Sequence, residues 1–307
     1  LKKMIKRIAP TDSTVLITGE SGTGKEIIAK SIHELSKRND KPFVSVNCAA
    51  LPETLLESEL FGHRKGSFTG AYSDKEGLLK SADGGSFLLD EVGNTSAAIQ
   101  MKLLRVLEAK EFTPLGDTRP VKVDIRLIAA TNADLEEEVK EGTFREDLFW
   151  RLNVFAIHVP PLRERKEDIP LLLNHFLQRT CAKQNLPPKR ISPEALDLLS
   201  SYEWPGNVRE LENLVERTVL FSQGEVIGAE EIPKRMETEE KEAAERQREL
   251  AVTPTLQTME EAYVSYVLQK TGWNKTESAK ILGIDLSTLY RKIDRYGLSP
   301  QAQSTPD

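Results

Sequence analysis

A chain of 307 residues, 39% hydrophobic and 29% charged, has the balance of a globular protein of two or three domains with enough apolar side chains for sizeable cores. Its net charge of −6 excludes a uniformly basic nucleic-acid coat, so any DNA contact must come from a local patch. Cys48 and Cys181 lie far apart and exclude a disulfide framework or a cysteine metal cluster, which fits a reducing cytoplasm; no apolar run of about 18 residues and no leader signals a membrane span or export.

The chain opens at Leu1, which suggests a fragment of a longer protein with a domain upstream. Leu1, Met4, Ile5 and Ile8 form a helical stripe that ends at Pro10. The apolar run Val15-Leu16-Ile17 predicts a strand, and a helical pattern begins at Ile27. Between them lies Gly19-Glu20-Ser21-Gly22-Thr23-Gly24-Lys25-Glu26. Glycines there let backbone N–H groups turn toward a phosphate, the helix start adds partial positive charge, and Lys25 reaches the β- and γ-phosphates of ATP. Glu26 stands where the general pattern has a Ser or Thr that ligates Mg2+.

A strand over 41–47 and a helix over 52–61 follow; residues 62–77, rich in Gly, Ser and Lys, read as an exposed loop that presents Phe68. The apolar strand 85–91 closes on Asp90 and Glu91, a helix spans 96–109, and Pro114, Gly116 and Pro120 mark a loop or hairpin over 111–121. The strand 124–130 ends in Thr131-Asn132. Strands alternating with helices, with polar residues at the strand ends, predict a mostly parallel sheet whose ligand sits at that edge. From Arg163 the strands stop, and helical spacing in 169–177, 193–199 and 208–221 predicts a small helical domain. Residues 236–250 are almost wholly charged, polar or small and read as a solvated helix or flexible linker, not a coiled coil.

Asp90 and Glu91 suit a Walker B pair: the aspartate holds magnesium, directly or through water, and the glutamate polarises the attacking water. Asn132 is placed to orient the γ-phosphate or the water, and Asn47 to hydrogen-bond and restrain Glu91. Each asparagine alone reads as a turn residue, and only the architecture gives it a role.

GESGTGKE, GSFLLDEVG, RLIAATN, FREDLFWRLNVF, PPLRERKEDI and WPGNVREL together resemble the AAA+ domain of the bacterial enhancer-binding proteins, NtrC-like activators of sigma-54 RNA polymerase, over residues 1 to about 236. The resemblance implies an AAA+ α/β domain over 1–163 and a helical lid over 164–236. It also makes Glu26 the family's own residue, with Mg2+ depending more on Asp90 and water. Gly66-Ser67-Phe68-Thr69-Gly70-Ala71 is similar to the family's GAFTGA loop, which touches sigma-54, with Ser67 replacing an alanine. Arg145 and Arg151 match arginine fingers that reach the γ-phosphate of a neighbouring subunit, which implies a ring, hexameric in the family. Without the resemblance they would read as surface arginines paired with Glu146 and Asp147. Arg209 matches the sensor II arginine.

After a linker over 237–255, residues 256–300 form the last domain, and 301–307 a tail. Residues 274–297 read helix, turn, helix, with Gly283 at the turn and Leu282, Ile284, Leu289 and Ile293 as core. This unit resembles the Fis-like DNA-binding domain of the same activators. Ser287, Thr288, Tyr290, Arg291 and Lys292 would lie on or near the recognition face, with Arg295 nearer phosphate, and residues 270–297 carry six basic against three acidic side chains. Met259, Ala262, Tyr263, Tyr266, Val267 and Lys270 form a stripe that serves either as a dimer interface or as packing within the domain.

The fold class expected is therefore an α/β AAA+ P-loop parallel-sheet domain with a small helical lid, followed by an all-α helix-turn-helix domain. The function expected is an ATP-hydrolysing activator that binds double-stranded enhancer DNA, assembles from dimer to hexameric ring and remodels sigma-54 RNA polymerase. A DNA-binding repressor with an uncoupled AAA+ domain is the alternative, and a metabolic P-loop kinase has no use for a helix-turn-helix.

Overall fold

The computed structural model describes residues 1–68, 70–222, 224–233, 256–296 and 298, without the side chains of 256–259 and 262. Thr69, the charged segment 236–250 and the tail 301–307 lie outside them. The chain divides into two units, Leu1–Met236 and Glu237–Asp307.

In the first unit five parallel strands run, edge to edge, in the order Phe43–Asn47, Ser86–Asp90, Arg126–Thr131, Val15–Thr18 and Phe155–His158. Unbroken apolar runs in the central strands follow from burial on both faces. On one face Phe87, Leu89, Leu127 and Leu16 pack with Ile99, Leu103 and Val106 of the helix Ala97–Ala109. On the other, Val15, Ile17, Leu88 and Ile128 meet Ile28 and Ile32 of the helix Lys25–Glu34, with Ile5 and Ile8 of the helix Lys2–Ile8. Truncating one such leucine to alanine costs about 2–5 kcal/mol.

Arg126 departs from the apolar pattern and is 1% exposed. Its guanidinium donates to the carbonyls of Ala9 at 2.5 Å and Ile8 at 3.0 Å, so a buried cation closes the negative end of the first helix. Burial pushes its pKa down. Its place inside a strand reading Arg-Leu-Ile-Ala-Ala-Thr gave no sign of that partner.

The segment expected as an exposed loop over 62–77 has a short antiparallel pair at its base, Gly62–His63 with Lys75–Glu76. Residues 111–122 form a hairpin, Glu111–Phe112 with Val121–Lys122. The lid consists of helices Ile169–Gln184, Pro193–Ser201 and Asn207–Phe221 around Trp204, which is fully buried and donates its Nε1–H to Leu199 O at 2.8 Å.

The second unit holds helices Leu256–Lys270, Lys275–Leu282 and Leu286–Arg295 around Val264, Leu268, Ala279 and Leu289. Among the described residues no helix is long and apolar enough to cross a membrane.

Candidate functional site

The strand Val15–Thr18 delivers the chain into the loop 19–24, and Gly24, at φ +97°, starts the helix Lys25–Glu34. Open space surrounds the position a Cβ would take on Gly24, whereas one on Gly22 would lie 2.4 Å from Gly206 O of the lid. Glycine at 24 thus leaves room for a ligand's close approach, and glycine at 22 admits the lid. Lys25 is 6% exposed, and its ammonium donates to Gly19 O at 2.9 Å and Glu20 O at 3.2 Å.

Strand register pairs Asn47 with Asp90, and Asn47 Nδ2 donates to Asp90 Oδ2 at 3.2 Å. This corrects the expectation that Asn47 holds Glu91. The strand ends at Asp90, and Glu91 turns away at φ +54°, outside the register. Its carboxylate instead accepts from the Asn132 backbone N–H at 3.3 Å and stands 3.8 Å from Lys25 Nζ. Asn132 therefore meets the site through its main chain. Cys48 beside this edge is buried, and burial, then the charges of Asp90 and Glu91, push its thiol up to about 12, so it stays protonated.

Lys25, Glu26, Asn47, Asp90, Glu91 and Arg209 line one cavity of about 230 Å³ with the loop Ser21–Gly24. A basic floor and an acidic far wall at a sheet's C-terminal edge fit a nucleoside triphosphate held with a divalent cation.

Lid groups beyond Arg209 touch the loop. Arg163 donates to both Glu20 oxygens, at 2.5 and 2.9 Å, and Arg165 donates to Thr23 O at 2.9 Å. Asn207, fully buried, donates to Glu20 Oε2 and Ser21 O, both at 3.1 Å. Glu20, expected among the nucleotide-binding residues, turns its carboxylate to the lid instead, because the arginine fork there offers bidentate pairing. Arg163 holds that carboxyl down at about 2. Arg163 and Arg165 fall in the motif PPLRERKEDI and Arg209 in WPGNVREL, and Arg209 alone of the two motifs carries a role expected from the sequence. Asn207, invisible by composition, sits in the second motif.

In the second unit Ser287, Tyr290, Arg291 and Arg295 are exposed and Thr288 half-buried. The Lys275 ammonium sits 4.6 Å over the Tyr290 ring. Lys292 is turned away from the face expected for it. Its ammonium pairs with Glu260, which also accepts from the Tyr296 hydroxyl at 2.5 Å, so helix Leu286–Arg295 is tied back to the helix Leu256–Lys270. Val267 of the expected stripe is buried, while Tyr263 and Tyr266 are each 57% exposed.

The sigma-54 interaction domain family matches residues 1–158, more than half of the chain. The chain belongs to that family. An AAA+ ATPase lid domain matches 163–249, and a Fis-family bacterial regulatory domain matches 255–296. Transcriptional regulatory protein ZraR of Salmonella typhimurium is 49% identical over 301 residues, covering 95% of this chain and 65% of the relative. Regulatory protein AtoC of Escherichia coli is 48% identical, covering 96% and 65%. The chain thus spans about 65% of the length of these relatives. Crystal structures of NtrX from Brucella abortus, in complex with ADP and with ATP, match 97% of this chain and 67% of theirs at 36% identity, with TM-scores of 0.72 and 0.70.

In this member of the sigma-54 interaction domain family, Arg145 and Arg151 are not among the residues that line the chain's own cavity. Arg145 makes a bidentate pair with Asp147 at 2.6 and 3.0 Å, and Arg151 meets Glu108 at 3.2 Å. Both are well exposed, and Trp150 between them is 63% exposed. In the loop 66–71 Phe68 is half-buried, edge-on to His63 at 5.0 Å, which corrects the expectation of an exposed tip. Tyr72, at 86% exposed, protrudes instead. Arg64 anchors this loop, pairing with Asp117 at 2.7 Å and Asp74 at 2.8 Å.

Proposed function

We propose that the chain is the catalytic and DNA-binding part of an activator that hydrolyses ATP, assembles as a ring and remodels sigma-54 RNA polymerase from closed to open promoter complex. The observation that carries this reading is the convergence of Lys25, Asp90, Glu91 and Arg209 on one cavity in a chain that ends in a helix-turn-helix.

Lys25 and the loop N–H groups bind the phosphates. Among the described residues no group of three or more His, Cys, Asp or Glu forms a metal cage. Asp90, oriented by Asn47, would hold Mg2+ alongside phosphate oxygens and water, and the ion would neutralise charge on the phosphates. Glu91 accepts a proton from the attacking water. Arg145 and Arg151, which do not line their own cavity, serve the neighbouring subunit's γ-phosphate, so hydrolysis requires assembly. The loop 66–71 contacts sigma-54, and the helix Leu286–Arg295 reads enhancer DNA.

The test measures ATP hydrolysis and open-complex formation on one preparation with sigma-54 polymerase and a supercoiled promoter. Opening that depends on hydrolysis and on the enhancer supports the reading. Promoter binding and hydrolysis without opening would favour the uncoupled repressor.

A further inference from the structure

The lid's contacts with the phosphate loop converge on Glu20 and its neighbours. Glu20 is engaged twice. Its carbonyl accepts from the Lys25 ammonium, and its carboxylate is gripped by Arg163 and Asn207. Asn207 stands at the first turn of the lid helix Asn207–Phe221 with φ +53°, a backbone conformation asparagine tolerates better than most residues. Its amide nitrogen holds Glu20 and Ser21 while its amide oxygen accepts from Leu162 N–H at 2.7 Å. One buried side chain thereby ties the chain's entry into the lid, the lid helix and the phosphate loop together. The backbone closes the same seam, with Arg209 N–H donating to Gly22 O at 3.3 Å and Gly22 pressed on Gly206.

We propose that Arg163 and Asn207 act as a latch through which lid position sets the shape of the phosphate loop, and that opening this latch governs release of nucleoside diphosphate. The proposal rests on the nucleotide reading above and adds positioning residues to it. Arg163 touches no atom of the cavity, so its influence on a bound nucleotide runs through Glu20. A lid that swings outward must withdraw the guanidinium fork from Glu20 and the amide from Ser21 together, because both depart from the lid side. The residue thus released is the one whose carbonyl orients Lys25. A closed lid accordingly holds the loop in one conformation, and an open one frees it to let ADP go. The pair is partly exposed, so its grip weakens with salt.

The experiment follows release of a fluorescent N-methylanthraniloyl ADP from the 307-residue chain, chased with excess ADP, beside steady-state ATP hydrolysis. Arg163→Ala is expected to release ADP about tenfold faster, within the roughly 5- to 150-fold span of site-to-site coupling, and to raise KM for ATP more than it alters kcat. Arg163→Lys keeps the charge but loses the fork and should fall between. Glu20→Arg combined with Arg163→Glu should release more slowly than either single change, a rescue that a merely structural role does not give. Should Arg163→Ala fail to fold, by circular dichroism, the lysine variant and the exchanged pair carry the test. Release at the parent rate in folded single variants, or no rescue in the pair, overturns the latch. A parent chain that binds no ADP overturns the nucleotide reading and the latch with it.

Discussion

The Lys25 ammonium stands 3.8 Å from Glu91 Oε1, and both side chains line the cavity. At that distance the two attract without a hydrogen bond, so Lys25 remains bound to the loop carbonyls and Glu91 keeps an oxygen for another donor. The arrangement separates binding, which falls to Lys25, from proton acceptance, which falls to Glu91.

Glu91→Gln is therefore expected to retain ATP affinity and lose hydrolysis by roughly 10²- to 10⁴-fold, the range for a positioned general base. Lys25→Ala should lose affinity first. Equilibrium binding and turnover measured on both variants check this. Hydrolysis at the parent rate in Glu91→Gln would remove Glu91 from the mechanism.

Arg145→Ala and Arg151→Ala should each keep nucleotide affinity while hydrolysis falls, by about 10³ to 10⁵ where an arginine is supplied in trans. Their present partners, Asp147 and Glu108, sit at the surface, where exchange of partners costs little. Specific activity of the parent should rise steeply with protein concentration. A specific activity that stays constant under dilution would argue for action within one chain.

Glu20 gives the molecule an acid limit. Its folded carboxyl titrates at about 2 against an ordinary 4.5, chiefly through the Arg163 hydrogen bond. A depressed folded pKa contributes stability above the unfolded value, and that contribution fades as pH falls from about 4.5 toward 2. Solvent screening keeps it modest at a side chain 41% exposed. Thermal midpoints of the parent should fall more steeply over that interval than those of Glu20→Gln. Parallel curves would show that the pair does not stabilise the fold.

Much of this was legible in the chain because strand-helix alternation and the glycine pattern are local signals. Val15 to Glu26 and Ser86 to Glu91 each announce both an element and its chemistry within a dozen residues. What escaped depends on register or on distant partners. Asn47 meets Asp90 instead of Glu91 because the strands align those two residues, which periodicity does not reveal. The pairing of Glu20 with Arg163 spans 143 positions, and Arg126 finds its carbonyls 117 and 118 positions away. Lys292 looked available for DNA because the turn of helix that faces Glu260 is fixed by packing around Leu289.

That last pairing separates two adjacent cations by experiment. Arg291→Ala should weaken specific DNA binding by roughly 1–3 kcal/mol if the side chain reads a base. Lys292→Ala should instead lower the stability of the helical unit, since it leaves Glu260 with the Tyr296 hydroxyl but without the ammonium, and change DNA affinity less. Titrations on a palindromic enhancer at several salt concentrations, beside thermal melts, check the contrast. A larger affinity loss for Lys292→Ala would mean that its ammonium leaves Glu260 for phosphate on binding.

The loop 66–71 is expected to couple hydrolysis to polymerase without taking part in either nucleotide or DNA binding. Its base is pinned by the short strand pair Gly62–His63 with Lys75–Glu76 and by Arg64, while Phe68 rests on His63 through one edge-on ring contact. A single aromatic contact at a half-buried side chain is worth about 0.5–1.5 kcal/mol beyond its burial, little enough for a partner surface to displace. Phe68→Ala and Thr69→Ala should accordingly leave ATP hydrolysis and enhancer binding near the parent values and abolish open-complex formation with sigma-54 polymerase. His63→Ala, which frees the ring without removing it, should retain opening. Hydrolysis and opening lost together in the Phe68 variant would make the ring a support for the fold, and normal opening in both loop variants would move the coupling contact elsewhere, with the exposed ring of Tyr72 the next side chain to test.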